Sequence, residues 1–212
     1  MKKEHTKEKT VKVIPVHFGE KLIELRIPEK NLCFSLQRNE FSPPENPGDE
    51  IKRALQNPIG TKRLREIVSK NSSVVILADD RTRVTPQKVI IPLILDELHE
   101  AGIGNEQIKL VIAYGTHRPM TDKEILERFG QDIIDQIEIK HHDCQGNLVN
   151  RGITKRGTRI VVNKDVLNAD IRIGVGGVLP HHPVGWSGGA KILLPGVAGT
   201  ETVHAMHLLG AT

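Results

Sequence analysis

The chain has 212 residues, 38% hydrophobic and 26% charged, a length and mixture that suit a large globular domain with a buried core rather than a disordered polymer. No apolar run approaches the ~20 residues of a membrane-spanning helix, no apolar signal segment follows the Met1 start, and Cys33 and Cys144 have neither disulfide-framework nor zinc spacing, so a cytoplasmic protein without a membrane partner is expected. The net charge of +4 sits largely in residues 1–12, with five Lys against two Glu, and 3% aromatics leaves few platforms for stacked bases, which argues against nucleic acid.

In chain order, residues 1–10 read as a basic disordered tail. Alternating runs at residues 11–18 and 22–27 around Gly19 predict a β-hairpin, and a further strand is expected at residues 31–36. The Pro-rich stretch Ser42-Pro43-Pro44-Glu45-Asn46-Pro47-Gly48 is a stiff connector, and Leu55, then Leu64, Ile67 and Val68, predict two short amphipathic helices after it. Val74-Val75-Ile76-Leu77-Ala78 is a continuous apolar run of the kind buried on both faces of a parallel sheet. Thr85 as N-cap and Pro86 as first residue predict a helix that keeps apolar spacing until Gly102.

A strand is expected at residues 108–113, and Thr121-Asp122-Lys123-Glu124 is a capping box opening a helix that stops at Gly130. Further strands are expected at residues 137–140, 158–162 and, buried, 171–175. Together these predict an α/β fold, a mostly parallel sheet flanked by helices, with a small N-terminal β-hairpin region over residues 11–48 packed on a main domain at residues 49–212. Ligands of such sheets sit beyond the carboxyl ends of the strands.

Polar clusters follow these strands. Asp79-Asp80-Arg81-Thr82-Arg83 reads either as a solvated loop with surface ion pairs or as an anion clamp of guanidinium forks. Tyr114-Gly115-Thr116-His117-Arg118-Pro119 places His117 where a general acid or base works near neutral pH, while Arg118 reads as a surface charge. The glycine-dense segment 176–191 includes Ser187-Gly188-Gly189, a candidate anion nest before a helix, and its Lys191 is bounded by Ile192-Leu193-Leu194. A partly desolvated lysine is a candidate for covalent chemistry, and the segment's Trp186 argues against a free surface loop. His204 and His207 share a helix face, a modest metal signal. His141 and His142 read as structural or solvated.

Four of these segments together resemble the lactate racemase family: Asp80-Arg81-Thr82-Arg83, Gly115-Thr116-His117-Arg118-Pro119, His181-His182-x-x-Gly185-Trp186-Ser187-Gly188-Gly189-Ala190-Lys191, and Pro195-Gly196 leading to His207. The resemblance implies an isomerase interconverting the enantiomers of a 2-hydroxy acid, lactate or a relative. It also implies a nickel pyridinium-3,5-bisthiocarboxylic acid mononucleotide, the nickel pincer. Lys191 would tether that cofactor, and His207 would be the protein ligand of nickel, a fourth position that imidazole suits.

His117 and His181 would be the acid/base pair, one taking the substrate's hydroxyl proton while its carbon-bound hydrogen leaves as hydride. Asp80, Arg81, Thr82 and Arg83 would contact the cofactor, Arg83 would also orient the substrate, and Ser187-Gly188-Gly189 would lie near the cofactor's phosphate. Cofactor-synthesis and nickel-insertion proteins are implied as partners. The family's protein carries a C-terminal domain with a further lysine and glutamine, and this chain matches the N-terminal half alone. A non-catalytic module binding a nucleotide-like or phosphorylated ligand is the alternative.

Overall fold

The computed structural model describes residues 10–19, 21–36, 39, 41–181 and 184–210, so the expected tail up to residue 9, together with His182 and Pro183 of the glycine-dense segment, lies outside the described residues. The chain forms two compact units that divide between Pro43 and Pro44, inside the Pro-rich connector.

In the first unit, β1 (Val11–Phe18) and β2 (Lys21–Pro28) pair antiparallel from Val11 with Pro28 to Phe18 with Lys21, as the alternating runs predict. The strand expected at residues 31–36 is not formed. Glu29–Asn31 makes one 3-10 turn, closed by the Leu32 N–H donating to the Glu29 carbonyl at 3.0 Å, and residues 32–36 join no sheet. An apolar stretch without a partner edge has nothing to bond its backbone to.

The second unit begins with α1 (Pro47–Gln56), where the Asn46 side chain accepts from the Gly48 N–H, followed by the single turn α2 (Leu64–Ile67). Then come β3 (Val74–Asp79), α3 (Gln87–Glu100), β4 (Ile108–Ala113), α4 (Asp122–Phe129), α5 (Gln131–Gln136) and β5 (Glu138–His141). A hairpin of β6 (Leu148–Ile153) and β7 (Arg159–Asn163) precedes α6 (Lys164–Asn168) and β8 (Ile171–Val175). The two-residue strands β9 (Pro180–His181) and β10 (Gly185–Trp186) form a small ladder, and α7 (Thr200–Gly210) closes the described chain.

The main sheet is parallel, in the order β5-β4-β3-β8. Alternate residues of β3 go to opposite faces. Val74, Ile76 and Ala78 pack with Ile91, Leu95 and Leu98 of α3 and with Phe129 and Ile133, whereas Val75 and Leu77 pack with Val162, Val166 and Val197. This double burial is why the β3 sequence shows no alternation. The chain runs from β3 out to β4 and β5 on one side and later returns to β8 on the other side of β3, a reversal that opens a crevice beyond the carboxyl end of β3.

Two further expectations need correction. Thr85 does not cap α3: its hydroxyl donates to the Asp79 carboxylate instead, and the helix starts at Gln87. β8 is not buried throughout, because it is an edge strand: Arg172 and Gly174 are exposed, Ile171 and Ile173 half-buried, and Val175 buried. The capping box of α4 is formed, with the Thr121 side chain accepting from the Glu124 N–H at 3.3 Å and the Glu124 carboxylate from the Thr121 N–H at 2.8 Å. Among the described residues, no helix is long and apolar enough to cross a membrane.

Candidate functional site

A cleft opens beyond the carboxyl ends of β3, β4 and β8, where parallel strands leave backbone and loop groups unpartnered. Asp80 and Arg83 enter it from the loop after β3, and His117 from the loop after β4. His181 comes from β9, Lys191 from the 3-10 turn Gly189–Ile192, and His207 from α7. Six of the eight residues singled out in the sequence therefore line one cavity. Arg81 and Thr82 do not line it.

The loop after β3 explains that division. Thr82 folds back on its own turn, its N–H donating to Asp80 Oδ1 at 3.0 Å and its hydroxyl to the same oxygen. Arg81 pairs with Glu124 on α4 at 3.3 Å. Arg118 joins the same carboxylate, Nη1 to Oε2 at 2.9 Å, so its reading as a surface charge agrees with its placement. Hydrogen bonding to Arg118 is the main cause that lowers the Glu124 carboxyl to about 2.

Asp80 is buried, 3% exposed, and its Oδ2 lies 2.7 Å from His117 Nδ1. Burial pushes its carboxyl up, but the hydrogen bonds from Thr82 and His117 outweigh burial and the net shift is downward. An ionised carboxylate only accepts, so His117 Nδ1 carries a proton, and Nε2 is the nitrogen left to accept whenever the ring is neutral. This is the electronic state a general base needs.

Lys191 is half-buried, and burial followed by repulsion from Arg83 lowers its ammonium below the usual lysine range. A larger share of free amine is the state in which a lysine attacks an acyl or carbonyl carbon. His181 is half-buried and pairs in register with Gly185.

The glycines shape the wall. A side chain at Gly188, whose φ is +74°, would bring a Cβ to 2.8 Å from the Gly177 carbonyl. The Ser187 hydroxyl donates to that carbonyl and accepts from the Leu179 N–H, each at 2.9 Å, so it braces the loop. The helix expected after Gly189 is the short 3-10 turn Gly189–Ile192. Trp186 does not close the cleft, being 62% exposed.

His204 is exposed and outside the cleft lining. Among the described residues, no three His, Cys, Asp or Glu side chains gather as a metal cage. His141 accepts or donates with the Tyr114 hydroxyl at 2.8 Å and stacks on its ring, and buried His142 bonds the Ala198 carbonyl at 3.0 Å, both structural placements.

Two residues went unassigned in the sequence. Asp79 is the last residue of β3, and its side chain gathers Thr85, Gln87 and Arg128 and the Gly177 N–H. Arg128 on α4 bonds the Asp79 and Arg83 carbonyls. The acidic end of an apolar strand was a usable signal for Asp79. Arg128, 45 residues beyond Arg83, reads in sequence as the polar side of an amphipathic helix and carries no signal of its own.

The lactate racemase N-terminal domain matches residues 18–212 of this chain. Lactate racemase of Thermoanaerobacterium thermosaccharolyticum is 32% identical over 198 residues, 92% of this chain and 46% of that protein. Lactate racemase of Lactiplantibacillus plantarum is 33% identical over 161 residues, 75% of this chain and 38% of the relative. The structure of the T. thermosaccharolyticum lactate racemase apoprotein superposes with a TM-score of 0.77 at 31% identity, covering 92% of this chain and 46% of the other. A Thermotoga maritima protein superposes at 0.64 with 26% identity, over 77% and 41% of the two chains. The chain thus spans about half the length of the curated relatives it matches, or less. It belongs to the lactate racemase family, across that family's N-terminal domain.

Proposed function

We propose that this chain is the cofactor-bearing half of an enzyme that interconverts the enantiomers of a 2-hydroxy acid, lactate or a close relative. The observation that carries the reading is the convergence of Asp80, Arg83, His117, His181, Lys191 and His207, from five separate segments, on one cleft.

The cleft's residues fit the nickel-pincer mononucleotide. Lys191 offers an amine with a lowered pKa for attachment, His207 an imidazole for nickel, and the wall at Gly188 leaves no room for a Cβ where the backbone closes in. When bound, this cofactor supplies the hydride acceptor. What this half of the enzyme contributes beside it falls to the chain's own side chains.

Arg83 grips the substrate carboxylate through its guanidinium fork. His117, held by Asp80 with Nε2 free to accept, takes the hydroxyl proton from one enantiomer and returns it on reversal. His181 does the same for the other hand. An inversion needs a base on either side of the carbon, and two imidazoles in one cleft meet that need. Cofactor-synthesis and nickel-insertion proteins are the partners this reading requires.

The test is chiral chromatography of D- and L-lactate incubated with the cofactor-loaded protein. Equilibration toward a racemate is expected, and His117→Ala should abolish it while cofactor stays bound. A loaded protein that turns over neither lactate nor other 2-hydroxy acids would favour a binding module and defeat the proposal.

A further inference from the structure

Arg128 does not line the cleft, yet its guanidinium holds both ends of the loop that does. Its Nε donates to the Asp79 carbonyl at 2.8 Å and its Nη1 to the Arg83 carbonyl at 2.9 Å, while Nη2 pairs with the Asp79 carboxylate. The pair is nearly dry, with the two side chains 11% and 8% exposed.

Between these anchors, the Arg83 N–H donates to the Asp80 carbonyl at 3.1 Å, so the loop is a tight turn whose two ends are tied to one rigid group. Asp80 and Arg83 leave that turn toward the cleft, and Asp80 in turn holds His117. A planar fork with donors in fixed directions reaches three acceptors at once. A lysine ammonium keeps the charge opposite Asp79 but not that span.

We propose that Arg128 is a positioning residue, which sets Asp80 and Arg83 and, through Asp80, the tautomer of the His117 ring. It acts from outside the cleft and touches no ligand. The kinetic part of this claim rests on the racemase reading above; the tautomer part does not.

The test is Arg128→Lys, with Arg63→Lys as its control. Arg63 makes the comparable half-buried pair with Glu97, remote from the cleft lining, so its lysine variant perturbs stability without touching the turn. Imidazole 1H–15N correlation spectra of the chain, with His117 assigned by His117→Gln, report which ring nitrogen is protonated. Wild type and Arg63→Lys should show the Nδ1–H form, and Arg128→Lys should shift toward Nε2–H.

In cofactor-loaded protein, kcat per bound nickel should fall about 10²-fold for Arg128→Lys, as for a small misplacement of reacting groups. Arg63→Lys should keep kcat per nickel even where its loaded fraction drops. A His117 tautomer unchanged by Arg128→Lys, or equal losses of kcat per nickel in both variants, would overturn the proposal. Absence of turnover in wild type would instead strike the racemase reading, and the tautomer measurement would still decide the role of Arg128.

Discussion

His117 Nδ1 stands 2.7 Å from Asp80 Oδ2, and Asp80 is nine-tenths or more buried while the imidazole is half-exposed at the cleft. The carboxylate therefore fixes the proton on one ring nitrogen and aims the other. Asp80→Asn keeps the shape but offers an amide that can donate to Nδ1, which favours the wrong tautomer. Racemisation per bound nickel should fall about 10²–10⁴-fold, the usual worth of a positioned general base. Chiral assays normalised to bound nickel check this.

Lys191 sits close enough to Arg83 for the guanidinium to disfavour its ammonium, with burial as the larger cause. Competitive labelling with a limiting acylating reagent near neutral pH should modify Lys191 ahead of the exposed Lys123, before any cofactor is loaded. Arg83→Gln removes the second cause and should slow that labelling without erasing it. Labelling of Lys191 at the rate of Lys123 would contradict the assigned electrostatics.

Buried His142 ties the end of β5 to the Ala198 carbonyl, and the Asn163 amide faces its other nitrogen at 3.4 Å. Burial lowers its pKa below the ordinary 6.5, against the opposing pulls of the Ala198 carbonyl and Asp143. The unfolded chain thus binds the proton first, so this histidine's contribution is present above pH 6.5 and is lost as pH falls through its folded value. Urea midpoints measured from neutral to mildly acidic pH should decline, and His142→Gln should flatten that decline.

Gly196 closes the cleft floor, its carbonyl accepting from the Gly115 N–H at 2.8 Å. A Cβ there would collide with the Ile192 carbonyl and stand 3.1 Å from the Ala113 Cβ. Gly196→Ala should cost about 1–3 kcal/mol, the range for overpacking, because both neighbours are backbone or core. Thermal or chemical denaturation reads the loss directly.

The parts of the fold written plainly in the residues are those governed by local rules. β3 shows as an unbroken apolar run because both its faces are covered, and α4 shows through the Thr121–Glu124 capping box. The short, polar α5, β6 and α6 give no periodic signal, since five or six residues hold too few apolar positions to define one. Thr85 misleads as a cap because a distant acceptor, Asp79, outcompetes the helix N-terminus for its hydroxyl.

The site divides in the same way. His117, His181, Lys191 and His207 stand in recognisable segments that the strand ends bring together. Arg81 and Trp186 belong to the same segments yet turn elsewhere, to Glu124 and to solvent, because neighbouring residues of a loop need not share a direction. Arg128 is the converse, a residue outside every motif that the packing of α4 against β3 draws to the loop.

On the proposed reading, the cleft carries a nickel-bearing group attached at Lys191. Intact mass and nickel content of the chain, produced together with enzymes that make the pincer cofactor, test it most directly. A mass increment is expected that maps to Lys191 and vanishes in Lys191→Ala, with nickel bound in proportion and lost in His207→Ala. An unmodified, metal-free chain, or nickel retained in full by His207→Ala, would contradict it.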